Sequence, residues 1–201
     1  MAGGGEVGGQ AFSKIDCFQR AVALNPQDAV AWQNLGTAGG GELGGQAFSE
    51  IACFQRALAL DPQHALAWTL LGMAGGGEVG GHAFSEIACI QRALALDPQD
   101  VDAWTLLGMA GGGEVGGQAF SKIDCFQRAV ALNPQDAVAW QNLGTAGGGE
   151  LGGQAFSEIA CFQRALALDP QHALAWTLLG MAGGGEVGGH AFSEIACIQR
   201  A

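Results

Sequence analysis

Residues 57–72 read Ala-Leu-Ala-Leu-Asp-Pro-Gln-His-Ala-Leu-Ala-Trp-Thr-Leu-Leu-Gly, and this stretch decides the fold. Working backward from it, Glu50 to Leu60 places Ile51, Phe54 and Leu58 at i, i+3 and i+7, the apolar stripe of an amphipathic helix. Ser49 offers a hydroxyl cap at the start of that helix. Asp61-Pro62 ends it, because the residue before proline is pushed out of the α region. A second, shorter helix follows. Its clearest instance is Ala29 to Ala38, a run of good helix formers with Trp32 and Leu35 three apart on one face. Asp28 is its N-cap, replaced by His64, Asp100, Asp136 and His172 at the corresponding positions. Gly39-Gly40-Gly41 then stops it, since three glycines in a row maximise the backbone entropy that a helix has to remove.

The pattern recurs. Trp32, Trp68, Trp104, Trp140 and Trp176 step by 36 residues, as do Pro26, Pro62, Pro98, Pro134 and Pro170, and the six cysteines from Cys17 to Cys197 keep the same step. The units span residues 2–37, 38–73, 74–109, 110–145, 146–181 and, in part, 182–201, read here as a single array over 1–201. A longer period is superimposed: residues 110–201 are identical to residues 2–93, so three slightly different units form a block that starts again. Identity so complete points to recent tandem duplication or to deliberate construction. Any site built within one block therefore occurs twice.

Helices of about ten residues, roughly 15 Å long, are not stable alone in water, so stability comes from stacking repeat on repeat. The connection Glu42-Leu43-Gly44-Gly45-Gln46-Ala47-Phe48 reads as a tight turn or tiny hairpin, because Gly-Gly supplies the positive φ that such turns require. The expected fold is all-α, a right-handed solenoid of stacked two-helix repeats with glycine-rich turns inside each repeat.

Composition agrees. With 49% hydrophobic and 13% charged residues among 201, the chain is too apolar for disorder despite its 35 glycines. A net charge of −11 lacks the basic footprint of phosphate binding, so no nucleic-acid partner is expected. No stretch approaches a membrane span, and Met1 to Glu6 has neither the basic nor the apolar region of a signal peptide, which leaves a cytoplasmic protein as the expectation.

Trp32-Gln33-Asn34-Leu35-Gly36, then Phe54, Ala57-Leu58, Leu60-Asp61-Pro62 and Ala67-Trp68, together resemble the tetratricopeptide repeat pattern of Trp, Leu-Gly, an aromatic, Ala and Pro. The resemblance runs nearly the whole chain in register. It departs in period, 36 residues against the usual 34, and in the glycine-rich segment that replaces the tyrosine-rich end of the first helix. Sel1-like repeats share the glycine-rich turn but lack the Leu-Asp-Pro ending. The resemblance implies a concave groove lined by first helices that takes an extended peptide or a partner helix, and it assigns Gly72 to a close helix contact. Carried over by position, the groove residues are Val30, Gln33 and Thr37; Leu66, Thr69 and Met73; Asp102, Thr105 and Met109; Val138, Gln141 and Thr145; and Leu174, Thr177 and Met181. Whether the methionines belong to core or groove stays open. The Lys, Asn and Arg clamp that family members close on a C-terminal carboxylate is absent apart from Asn34 and Asn142, so the expected partner is a neutral to basic peptide or protein.

Chemistry is not expected, and neither is a cofactor. Gly39 to Gly44 matches G-x-G-x-x-G, but no strand precedes it, no Lys lies in it, and Glu42 repels phosphate. One cysteine per unit at one helical position keeps thiols a helix-packing distance apart, too far for disulfides, and without C-x-x-C spacing a metal site is not expected. The serine at Ser13, Ser49, Ser85, Ser121, Ser157 and Ser193 recurs as a cap does, and Asp100 with Asp102 reads as a solvated acidic patch. The functional reading is a non-enzymatic interaction scaffold. Its rival is a structural array without a dedicated ligand, whose two different end faces associate head to tail.

Overall fold

The computed structural model describes residues 5–7 and 10–201; the start of the first repeat unit, residues 2–4, and most of the N-terminal stretch considered for a signal peptide lie outside the described residues. The chain divides into two compact units, Met1–Pro98 and Gln99–Ala201. The first runs β1 (Gly5–Val7), β2 (Gln10–Phe12), α1 (Lys14–Leu24), α2 (Ala29–Thr37), β3 (Gly40–Leu43), β4 (Gln46–Ser49), α3 (Glu50–Leu60), α4 (Ala65–Met73), β5 (Gly76–Val79), β6 (His82–Ser85) and α5 (Glu86–Leu96). The second runs α6 (Val101–Met109), β7 (Gly112–Val115), β8 (Gln118–Ser121), α7 (Lys122–Leu132), α8 (Ala137–Thr145), β9 (Gly148–Leu151), β10 (Gln154–Ser157), α9 (Glu158–Leu168), α10 (Ala173–Met181), β11 (Gly185–Val187), β12 (His190–Phe192) and α11 (Glu194–Ile198). Within each unit every helix packs on the next, so helix pairs follow one another as stacked repeats.

The fold is helix-rich, as read from the sequence, but it is not purely α. Each glycine-rich connection is a two-stranded antiparallel hairpin, with β3 and β4 pairing Gly40 with Ser49 through to Leu43 with Gln46. The two-residue loop Gly44-Gly45 has φ of +57° and +81°, the doubly positive pair of a type I′ turn, whose twist suits a hairpin. A β element therefore stands between each first-type helix and the second-type helix that follows it.

The core is a periodic set. Cys53, Phe54, Ala57 and Leu58 of α3 are fully buried, as are Ala67 and Leu71 of α4, while Trp68 retains only 3% of its surface. Trp68 joins three segments at once. Its Nε1 donates to the Pro62 carbonyl at 2.9 Å, and its ring meets Phe84 of β6 edge to face at 4.8 Å between centroids. The same triad recurs at Trp32, Trp140 and Trp176. The glycine opposite, Gly36 or Gly72, gives close approach of the next helix: a Cβ on Gly72 would lie 2.8 Å from Ile90 Cγ1, and one on Gly36 2.7 Å from Phe54 Cδ1.

Caps mark the helix starts. Ser49 Oγ accepts from Ala52 N at 3.2 Å, and Ser13 and Ser121 form full capping boxes with Asp16 and Asp124. The serine hydrogen bonds hold both of these carboxyls below the ordinary Asp range. Asp28 accepts from Val30 N at 2.9 Å and Ala31 N at 3.2 Å. His64 and His172 occupy the same position without capping, and the Nε2 of each is buried with no hydrogen-bond partner. His64→Asp is therefore expected to stabilise the first unit by about 0.5–2 kcal/mol, adding a cap and removing an orphaned polar atom. Thermal unfolding followed by circular dichroism checks this, and a lowered midpoint would show that the imidazole is held by something an aspartate cannot replace.

Candidate interaction surface

The first-type helices α2, α4, α6, α8 and α10 each hold nine residues, and their inward face is spent on Trp and Leu. Two positions seven apart on each remain outward. In the first unit these are Val30 with Thr37 and Leu66 with Met73, and Leu66 and Met73 are 45% and 60% exposed. In the second unit they are Asp102 with Met109, Val138 with Thr145, and Leu174 with Met181, where Met109 and Met181 are 67% and 73% exposed. The methionines thus lie at the surface.

The middle positions behave differently. Gln33, Thr69 and Gln141 are buried, and Thr105 and Thr177 are half-buried. Gln33 Nε2 donates to Thr37 Oγ1 at 3.1 Å, and that hydroxyl donates to the Gln33 carbonyl at 3.0 Å; Gln141 and Thr145 repeat this at 3.0 and 2.9 Å. Thr177 Oγ1 donates to the Ala173 carbonyl at 3.2 Å. The outward stripe is accordingly aliphatic, and no Lys or Arg stands on these helices. Asp102 is its one acid, its carboxyl pushed up by burial and further by Asp100 and Asp136.

Gly39 to Gly44 closes α2 and enters the hairpin, and a Cβ at Gly40 would strike the Phe48 carbonyl oxygen. Among the described residues no three His, Cys, Asp or Glu converge to hold a metal. All six cysteines are free; Cys17 is exposed and the other five are buried. Burial pushes the thiols of Cys53, Cys89, Cys125 and Cys161 up to about 11. At pH 8 a thiol with such a pKa is roughly 0.1% thiolate. A disulfide reagent is therefore expected to titrate Cys17 quickly and the buried thiols only on unfolding. The raised values also carry a sign: the folded state favours the neutral thiol, so this contribution is full below the ordinary value near 9 and is lost as pH rises from there through about 11.

On the other side of the repeats the hairpins roof the second-type helices α1, α3, α5, α7, α9 and α11. Gln19 Nε2 of α1 donates to the Glu42 carbonyl of β3 at 2.9 Å, and Gln127 repeats this with Glu150 at 2.7 Å. These two hairpins are thereby pinned to the helix before them, and clefts open beside them. The sequence reading did not find these clefts; the arginine that recurs at 36-residue steps beside them, Arg20 through Arg200, was the available signal.

No protein-family model matches the chain, and no curated protein does. Among solved structures, a crystal structure of MamA is similar at 24% identity, covering 67% of this chain and 75% of that one with a TM-score of 0.47. A second crystal structure of MamA protein is similar at 23% identity, covering 67% and 70%, also with a TM-score of 0.47. No helix among the described residues is long and apolar enough to cross a membrane.

Proposed function

We propose that the protein is a non-catalytic binding scaffold of tetratricopeptide type, whose first-type helices present a mainly apolar stripe, with Asp102 its one charge, to an extended peptide or a partner helix. One observation carries the reading. The outward positions at the start of four of these helices, Val30, Leu66, Val138 and Leu174, hold aliphatic side chains that are 45–52% exposed, although the helices have buried faces enough to take them. Apolar groups aligned in this way on a repeated element mark an interaction surface. The net charge of −11 and the absence of Lys and Arg from these helices favour a neutral to basic partner.

Fluorescence anisotropy against a set of labelled neutral and basic peptides tests the proposal. Saturable binding that falls at least about tenfold in the double variant Leu66→Glu, Leu174→Glu is the expected result, since each substitution puts a charge into an apolar contact. The exact repetition of residues 2–93 as 110–201 favours a second reading, a structural array with no dedicated ligand. Silence across the peptide set, with self-association in sedimentation velocity, would support that array over the scaffold.

A further inference from the structure

The eight basic residues of the chain are segregated. Six are arginines recurring every 36 residues from Arg20 to Arg200, which together with Lys14 and Lys122 put the whole positive charge on the second-type helices or directly after one. Beside these helices the hairpin-side clefts are of two kinds. The clefts holding Arg20 and Arg128 are also lined by carboxylates, Asp16 and Glu42 in one and Asp124 and Glu150 in the other. Their charge is locally balanced. In the first unit another cleft of about 450 Å³ is walled by Leu58, Pro62, Trp68, Val79 and Phe84, with Arg92 at its margin and no acidic residue in its lining. The same positions 108 residues on, closed by Arg200 and joined by His190, form a cleft of about 680 Å³ in the second unit. There the guanidinium carbon lies 4.6 Å from the Phe192 ring centroid and 5.4 Å from that of Trp176. An arginine beside aromatic rings can still turn its N–H fork to a carboxylate.

We propose that this cleft, found in both units, is a docking site for an extended acidic peptide segment in which a bulky apolar side chain is followed by Asp or Glu. The volumes lie in the range of formed ligand sites, of about 300–1,000 Å³. The apolar side chain fills the space between Pro62, Trp68 and Phe84, and the following carboxylate takes the fork of Arg92. Local charge selects the partner: Arg92 is the one charged residue in the lining of the first-unit cleft, so the cleft itself is basic although the chain is acidic as a whole. The site is independent of the aliphatic stripe on the first-type helices and takes a partner of opposite charge.

The test is fluorescence anisotropy of the full chain with a labelled, C-terminally amidated probe, Gly-Ser-Leu-Glu-Phe-Glu-Gly-Ser, in about 50 mM salt so that ion pairing is not screened away. Saturable binding is expected, weakened at least about tenfold when the probe's Glu residues become Gln or when the protein carries Arg92→Gln with Arg200→Gln, because both changes remove the charge-assisted pair. Arg92 and Arg200 are exposed, so the variant retains its fold, and a thermal melt verifies this. Equal binding by the arginine variant, or no saturation up to about 1 mM protein, would overturn the proposal. So would tighter binding of a Gln-containing probe with a free C-terminus, which would make the occupant a chain terminus.

Discussion

Trp68→Ala is expected to destabilise the first unit by about 3–5 kcal/mol, the range for truncating a large aromatic in a packed core. The side chain is 3% exposed, so nearly all of its area is in contact with protein. Its loss leaves a cavity between α4 and β6, removes the edge-to-face partner of Phe84, and strips the Pro62 carbonyl of the Nε1 donor at 2.9 Å. The three losses fall on one joint, the place where the proline turn, the first-type helix and the hairpin meet. Trp68→Phe keeps an aromatic ring and deletes the donor, and is expected to cost about 1–3 kcal/mol. Urea unfolding followed by far-UV circular dichroism measures both, as a shift of midpoint at similar slope. An unchanged midpoint for Trp68→Ala would mean that the indole is not the joint, and the assignment of the repeat register would fall with it.

The helices were legible because their signals are local. Ser49, the Ile51, Phe54 and Leu58 stripe, and Asp61-Pro62 each act within a turn of the element they define, and the structure places α3 at Glu50–Leu60 accordingly. The hairpins were less legible. Gly40 to Ser49 has no run of alternating β-branched residues: the Gly44-Gly45 pair marks the turn, but the packing of Phe48 on Trp32 at 5.0 Å, which holds the strands, is not displayed by a sequence pattern. The outward stripe was read by position within the repeat, which locates a residue on a helix but not the rotamer it adopts. Gln33 shows the difference, its amide turned back onto Thr37 and buried. His64 shows it again, since it stands where Asp28 stands and has the wrong reach to cap. The hairpin-side clefts were invisible for a further reason. Leu58, Val79 and Arg92 come from three elements spread over more than thirty residues, and only the pairing of β5 with β6 brings them together.

Gly40 gives the sharper test of the hairpin itself, because its neighbour Gly39 is a built-in control. Both have positive φ, +95° at Gly39 and +88° at Gly40, so alanine at either carries the backbone strain of about 1–2 kcal/mol that an L side chain suffers there. The space around them differs. A Cβ at Gly39 meets nothing within 4 Å, whereas one at Gly40 runs into the Phe48 carbonyl oxygen and lies 2.9 Å from the Ser49 carbonyl carbon and 3.1 Å from Glu50 N. Those are backbone atoms at the last pair of the hairpin and the first residue of α3, and backbone cannot rotate away as a side chain can. Overpacking adds about 1–3 kcal/mol, which brings Gly40→Ala to about 2–5 kcal/mol against about 1–2 for Gly39→Ala. The damage also has a direction. Relieving the clash moves Phe48 off Trp32, so the near-UV circular dichroism of the folded Gly40→Ala variant is expected to lose aromatic signal while that of Gly39→Ala keeps it. Equal costs for the two substitutions, in paired urea titrations, would show that Gly40 does not face Ser49 across the hairpin and that the register from Gly40 to Ser49 is not the one the protein adopts.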